Sequence, residues 1–163
     1  MSRNAEGSQE LRRMVLTTSP RDIGVTPTKE HPRVWGVLME TGYPEAAATL
    51  VALLDGSVSL YFSNGGGIIG AGEHGSVRRA AIQFIGAAEP YVEEFSKTTE
   101  YPLPELGRVK FYILTFSGIL TGDFDEHLLG EGKHELSKLF YAGHDVISTI
   151  RAVEERLSRS QPR

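Results

Sequence analysis

The chain has no cysteine among its 163 residues. Disulfides, thiolate zinc sites, iron–sulfur clusters and thiol nucleophiles are thereby excluded. Histidine is sparse, with five residues (His31, His74, His127, His134 and His144). They form neither an HExxH nor an HxH pair. A GxSxG elbow, the usual seat of a nucleophilic serine, is missing too. Positive charge is in deficit: 17 Lys and Arg stand against 21 Asp and Glu, for a net charge of −4. Neutralising the phosphates of a duplex needs a basic face, so no nucleic-acid partner is expected. No apolar run reaches the roughly 18 residues that would cross a membrane. The start, Met1 to Glu10, is polar and without a hydrophobic region, so the expectation is a cytoplasmic chain with no signal peptide and no membrane partner.

What remains is globular in balance, with 40% hydrophobic and 23% charged residues. The length fits one domain with a core of ordinary size. The expected division is a flexible or marginally ordered arm over 1–16, a single α+β domain over 17–157 and a disordered tail over 158–163. Val34 to Thr41 reads as the first confident strand. Ala47 to Leu54 is apolar and ambiguous by periodicity, but Asp55-Gly56 directly after it is a hairpin signal. Val58, Leu60 and Phe62 then alternate with polar residues and Tyr61, the pattern of a half-buried strand. Arg108 to Phe116 is the strongest strand, and Ser117-Gly118 turns it into Ile119–Thr121. Between them, Val77, Ala80, Ala81, Phe84, Ile85, Ala88, Tyr91, Val92 and Phe95 share one helical face, with Ser76 as expected N-cap and a break near Pro90. A loop is expected over Asp123–Lys133, and a last helix carries Leu136, Leu139, Phe140, Val146, Ile147, Ile150, Val153 and Leu157. The order β-β-β-α-β-β-α predicts a mostly antiparallel sheet of about five strands covered by two long helices, in two or three layers.

The segment with the strongest candidate chemistry is Ser63-Asn64-Gly65-Gly66-Gly67-Ile68-Ile69-Gly70-Ala71-Gly72-Glu73-His74-Gly75, in which six of thirteen residues are glycine. Gly65-x-Gly67-x-x-Gly70 matches the dinucleotide fingerprint in letters only. A working fingerprint follows a buried parallel strand and opens a helix at once, whereas this one leaves a hairpin. The free N–H groups of the loop, the following helix start, and Arg78 and Arg79 would favour an anion. Asn64, Gly65, Gly66, Gly67, Gly70, His74, Arg78 and Arg79 are therefore the candidate ligand-binding residues. No catalytic residue, metal ligand or cofactor is assigned. An enzyme reading based on His74 or on the Asp123–His134 loop has the least support.

On the last helix, Leu136, Leu139, Gly143, Val146, Ile150, Val153 and Leu157 alternate three- and four-residue steps, a heptad-like seam. It serves either for packing on the sheet or for a dimer, and burial of Leu136 within one chain removes the main ground for the dimer. The layout of 46–122, two hairpin strands split by Asp55-Gly56, a long helix and two further strands, followed by an amphipathic helix, is similar to the roadblock and longin-type domains of the profilin-like class. That resemblance implies a homodimeric adaptor or regulatory module that meets other proteins and does no chemistry of its own. The alternative expectation is a domain that binds a small anion or phosphate ligand through the Gly-rich loop 64–79.

Overall fold

The fold follows from a computed structural model, which describes residues 3–160. It is α+β, with one antiparallel sheet of seven strands and four α-helices. Helix α1 spans Arg3–Thr17, and strands β1 (Val34–Gly42), β2 (Ala47–Leu53), β3 (Val58–Phe62) and β4 (Gly67–Ile68) follow it. Helix α2 (Gly75–Ala88) leads to β5 (Ser96–Lys97), β6 (Arg108–Thr115) and β7 (Gly118–Asp125), then to α3 (Glu126–Gly130) and α4 (Ser137–Ser160). The strand order across the sheet is β4-β3-β2-β1-β6-β7-β5. Every pairing is antiparallel.

The β2–β3 hairpin closes at Asp55-Gly56, where Gly56 takes φ +95° and Ser57 N–H donates to the Asp55 carboxylate at 2.9 Å. That turn chemistry settles the apolar run before it as a strand despite its alanines. Helix α2 stops at Ala88, two residues before Pro90, and the chain continues as a 3₁₀ turn over Glu89–Glu94. Proline has no N–H to continue the helical ladder, so the break falls where the sequence places it.

Six expectations are corrected. The sheet has seven strands rather than five, because the two-residue strands β4 and β5 extend its edges. There are four helices rather than two. Residues 3–16 of the expected arm lie in α1, whose Ala5, Ser8 and Leu16 are buried; Met1 and Ser2 lie outside the described residues. At the other end α4 runs on to Ser160, while 161–163 of the expected tail lie outside them. The acidic stretch Asp123–Lys133 is not one loop: β7 extends to Asp125, whose carboxylate accepts from Leu128 N–H at 3.0 Å and caps α3. Helix α2 begins at Gly75 with His74 at the N-cap, and Ser76 lies inside it.

Side-chain alternation divides the sheet into two unlike faces. On one, Val37, Met39, Leu50, Phe111 and Ile113 meet Phe84 and Ile85 of α2 and Val146 and Ile150 of α4, all buried. Fully burying each such side chain is worth roughly 1.5–3 kcal/mol. The heptad-like seam is spent here: Leu136, Leu139, Val146, Ile150 and Val153 are all buried within the chain, Leu136 to 1% exposure. Leu157, at the far end of the seam, is 41% exposed. On the opposite face, Leu38, Val51, Tyr61, Tyr112 and Leu114 lie beneath Leu16 and Trp35, with Leu11 and Val15 of α1 packed against them. No helix among the described residues is long and apolar enough to cross a membrane.

Candidate functional site

The glycines of loop 64–79 serve the turn and close packing. Gly65, Gly66 and Gly67 all take positive φ, and Phe62 N–H bonds to the Gly66 carbonyl as the chain doubles back into β4. A Cβ on Gly67 would collide with the backbone of Leu60 and Tyr61, and one on Gly72 would collide with the Gly56 carbonyl. These two positions need glycine because a neighbouring strand and turn pass directly over them. The Nε of Arg78 donates to the Gly72 carbonyl at 3.0 Å, so this arginine ties the loop to its own helix. His74 makes no side-chain cap, and its Nε2 stands 3.6 Å from the Glu73 carboxylate.

The predicted residues are divided between two depressions. Gly66 and Gly67 line one of about 310 Å³ with Asn4, Ser8 and Tyr61. Gly70 and Arg78 line another of about 450 Å³ with Asp55 and Ser57. Asn64, His74 and Arg79 line neither of these. Gly65 instead abuts the start of α1 at Asn4 and Ala5.

The 123–134 stretch is occupied by local structure. Asp123 accepts from Arg108 Nε at 2.8 Å, and His127 pairs with Glu131 at 2.6 Å. His134 Nδ1 accepts from Leu136 N–H, and its ring stands edge-on to Phe124 with centroids 5.1 Å apart. Among the described residues, no group of three or more His, Cys, Asp or Glu could hold a metal ion.

The most unusual chemistry lies elsewhere, on the sheet face beneath α1. Strand β1 is buried along its whole length, and its Glu40 is completely buried. A carboxylate there needs partners, because an unpaired buried charge is expensive. It has three contacts: Arg12 Nε at 2.7 Å, Arg12 Nη2 at 2.9 Å and the Thr49 hydroxyl at 2.6 Å. The arginine comes from α1 and the threonine from the neighbouring position on β2, so the pair joins the helix to the middle of the sheet. Arg12 Nη2 also donates to the Tyr101 carbonyl at 2.7 Å, and the guanidinium carbon lies 5.7 Å from the Tyr112 ring centroid.

Three tyrosines frame this pair. Tyr101 and Tyr112 meet edge to face at 5.7 Å, and the Tyr112 hydroxyl donates to the Pro102 carbonyl. The Tyr61 hydroxyl is buried with no hydrogen-bond partner. Burial, reinforced by the negative charge of Glu40, pushes the Tyr112 phenol up to about 12 and raises that of Tyr61 as well, against an opposing pull from Arg12. Burial draws the Arg12 guanidinium down, but its hydrogen bonds to Glu40 and the charge of that carboxylate outweigh the effect and hold it above its usual value.

Between α1 and the sheet, beside this cluster, is a cleft of about 360 Å³. Ser8, Gln9, Arg12 and Arg13 of α1 line one side; Thr49, Tyr61 and Ser63 line the sheet side; Leu16, Tyr101 and Leu103 add apolar wall. Its volume falls within the range of small-molecule sites, about 300–1,000 Å³. The sequence reading missed this cluster; its only traces there are a lone acid inside an otherwise apolar strand and an Arg-Arg pair near the N-terminus. Each is ordinary alone, and their 28-residue separation hides that they meet. No family model, curated protein or solved structure matches this chain, so its fold and its own side chains carry the functional reading.

Proposed function

We propose that the protein is a regulatory binding module without chemistry of its own, which recognises a small polar molecule in the cleft between α1 and the sheet. The observation that carries this is the buried Tyr61 hydroxyl, left without a partner in a residue that lines the cleft. Buried polar groups are nearly always satisfied, and an exception is costly unless something else completes it. A neighbouring buried ion pair holds the polar groups of α1 and β1 in one fixed arrangement, which suits recognition better than stability. The anion expected at loop 64–79 has weaker support, because Arg78 is engaged by Gly72 and the loop residues face two depressions. A thermal-shift panel of small organic acids, amides, alcohols and phosphates tests the proposal. At least one class raises the melting temperature by mass action, and Gln9→Trp, which fills the cleft, abolishes the rise. A rise that survives Gln9→Trp and vanishes in Arg79→Ala would return the site to the loop.

A second reading keeps the roadblock-like adaptor, as a homodimer or with another protein. What favours it is a group of exposed apolar side chains, Tyr43, Leu106 and Leu128, at one end of the sheet. Their backbones are drawn together there by Gly107 N–H on the Gly42 carbonyl and Glu126 N–H on the Gly107 carbonyl, both at 3.0 Å. Light scattering checks it: the chain runs as a dimer and Leu106→Glu with Leu128→Glu gives a monomer, whereas a wild-type monomer at high concentration leaves the homodimer without support.

A further inference from the structure

The cleft beneath α1 contains a charged donor group and an unused hydroxyl, and these define the chemistry of an occupant. Arg12 spends its Nε and Nη2 on Glu40 and Tyr101, and its guanidinium also interacts with the Tyr112 side chain. The side chain keeps 15% exposure and lines the cleft, so the guanidinium is the charged donor group within a ligand's reach. The Tyr61 hydroxyl, in a residue 4% exposed, is the unused group. Both call for an acceptor.

Charge narrows the choice. Glu40 cancels Arg12, and the exposed Arg13, which forms no ion pair with a described residue, leaves one positive charge at the cleft. One net positive charge matches a monoanion. Leu16, Tyr101 and Leu103 supply apolar wall, which an inorganic ion would leave uncovered. A carboxylate offers two oxygens to a guanidinium edge and to a phenol, in geometry that either donor accepts.

We infer that the cleft takes a small organic monocarboxylate, with its carboxylate on the Arg12 guanidinium and the Tyr61 hydroxyl, Arg13 guarding the mouth, and its apolar body against Leu16, Tyr101 and Leu103. This deepens the proposal that the cleft is the recognition site, and rests on it.

Sodium benzoate, its neutral isostere benzamide and inorganic phosphate are the probes, titrated into the full chain by calorimetry and amide NMR. Benzoate saturates and moves the amides of Ser8–Thr17, Thr49 and Tyr61. Benzamide binds about tenfold more weakly, the worth of one charge-assisted hydrogen bond. Phosphate leaves these amides in place. Arg12 is left intact, since removing it strands Glu40 and endangers folding. Arg13→Gln instead weakens benzoate severalfold and leaves benzamide unchanged. Tyr61→Phe weakens benzoate while raising the melting temperature of the free protein, a combination that a purely structural tyrosine would not give. Benzamide matching benzoate at these amides overturns the carboxylate assignment and leaves the cleft as the site. Phosphate matching benzoate overturns the need for an apolar body. If neither aromatic probe moves them, the carboxylate assignment and the cleft fall together.

Discussion

The two faces of this sheet are built on different terms. Beneath α2 and α4 the contacts are mostly apolar, with Phe84, Ile85, Phe111 and Ile113 at zero exposure, although His144 Nε2 on α4 is also buried without a hydrogen-bond partner. Beneath α1 the same sheet buries a carboxylate, a guanidinium, a threonine hydroxyl and an orphan phenol. The first arrangement is what stability alone selects, since burial of apolar area is its main source. The second gives up some of that stability: a buried ion pair seldom outperforms well-packed hydrophobic residues of the same volume. The contrast teaches that the helical face is packed for stability while the α1 face keeps a charged and polar cluster that stability alone does not call for.

Substitutions can break or sharpen this contrast. The largest effects are expected when one partner is removed from either face. Phe84→Ala should cost about 3–5 kcal/mol through cavity formation. Arg12→Met should cost a similar amount, about 3–5 kcal/mol, because Glu40 would stay buried and unpaired. The faces then part company. Arg12→Met with Glu40→Leu should recover most of that loss, since an apolar pair can replace a buried ion pair at little net cost. Urea midpoints report all three, and a double variant as unstable as Arg12→Met would show that the pair itself is the stabilising element.

Next in size is Gly143→Ala on α4. Its added methyl would stand 2.6 Å from Met39 Sδ and 3.1 Å from Phe84, and overpacking of this kind costs about 1–3 kcal/mol. A neutral result would mean that the helical face is looser than its burial indicates.

Titration should separate the faces by pH. The Tyr112 phenol is raised from 10 to about 12, so its contribution is fully present below pH 10 and is lost as pH climbs through 12. Tyr61 acts in the same direction. His144, on the helical side with its ring tilted against Phe140 at a centroid distance of 4.4 Å, is lowered from 6.5 by burial and by Arg151. Its contribution is present above pH 6.5 and declines as pH falls through its lowered folded value. Alkaline melting curves of Tyr112→Phe and acid curves of His144→Phe, each flatter than wild type, would assign the two limbs to the two faces. The smallest effect is Tyr61→Phe, a gain of about 1 kcal/mol from deleting an unsatisfied hydroxyl.

How far the sequence carried this picture depends on the range of the interaction. Local rules were enough for the Asp55-Gly56 hairpin, the stop before Pro90 and the antiparallel sense of the sheet. The glycines lie between two antiparallel strands, β3 and β4, and not after a parallel strand as in a dinucleotide fingerprint. The two-residue edge strands escaped notice because so few residues leave no periodicity. Helix α1 was missed because its Gly7 and its polar face weaken the pattern, and its packing on the sheet supplies what propensity lacks. The Glu40–Arg12 pair was invisible for a different reason: it is a tertiary match between residues that look ordinary in isolation. The glycine-rich loop drew attention because glycine is conspicuous, yet much of what these glycines do is let Tyr61 and Gly56 pass close by.

The most direct test of the α1 face as the recognition surface is an amide NMR map of a neutral and charged fragment library on the uniformly labelled chain. Saturable shifts gathered at Ser8–Thr17, Thr49 and Tyr61, with α2 and α4 unmoved, are the predicted result. Shifts gathered instead at residues 64–79, or no saturable shift near α1 from any fragment, would contradict it.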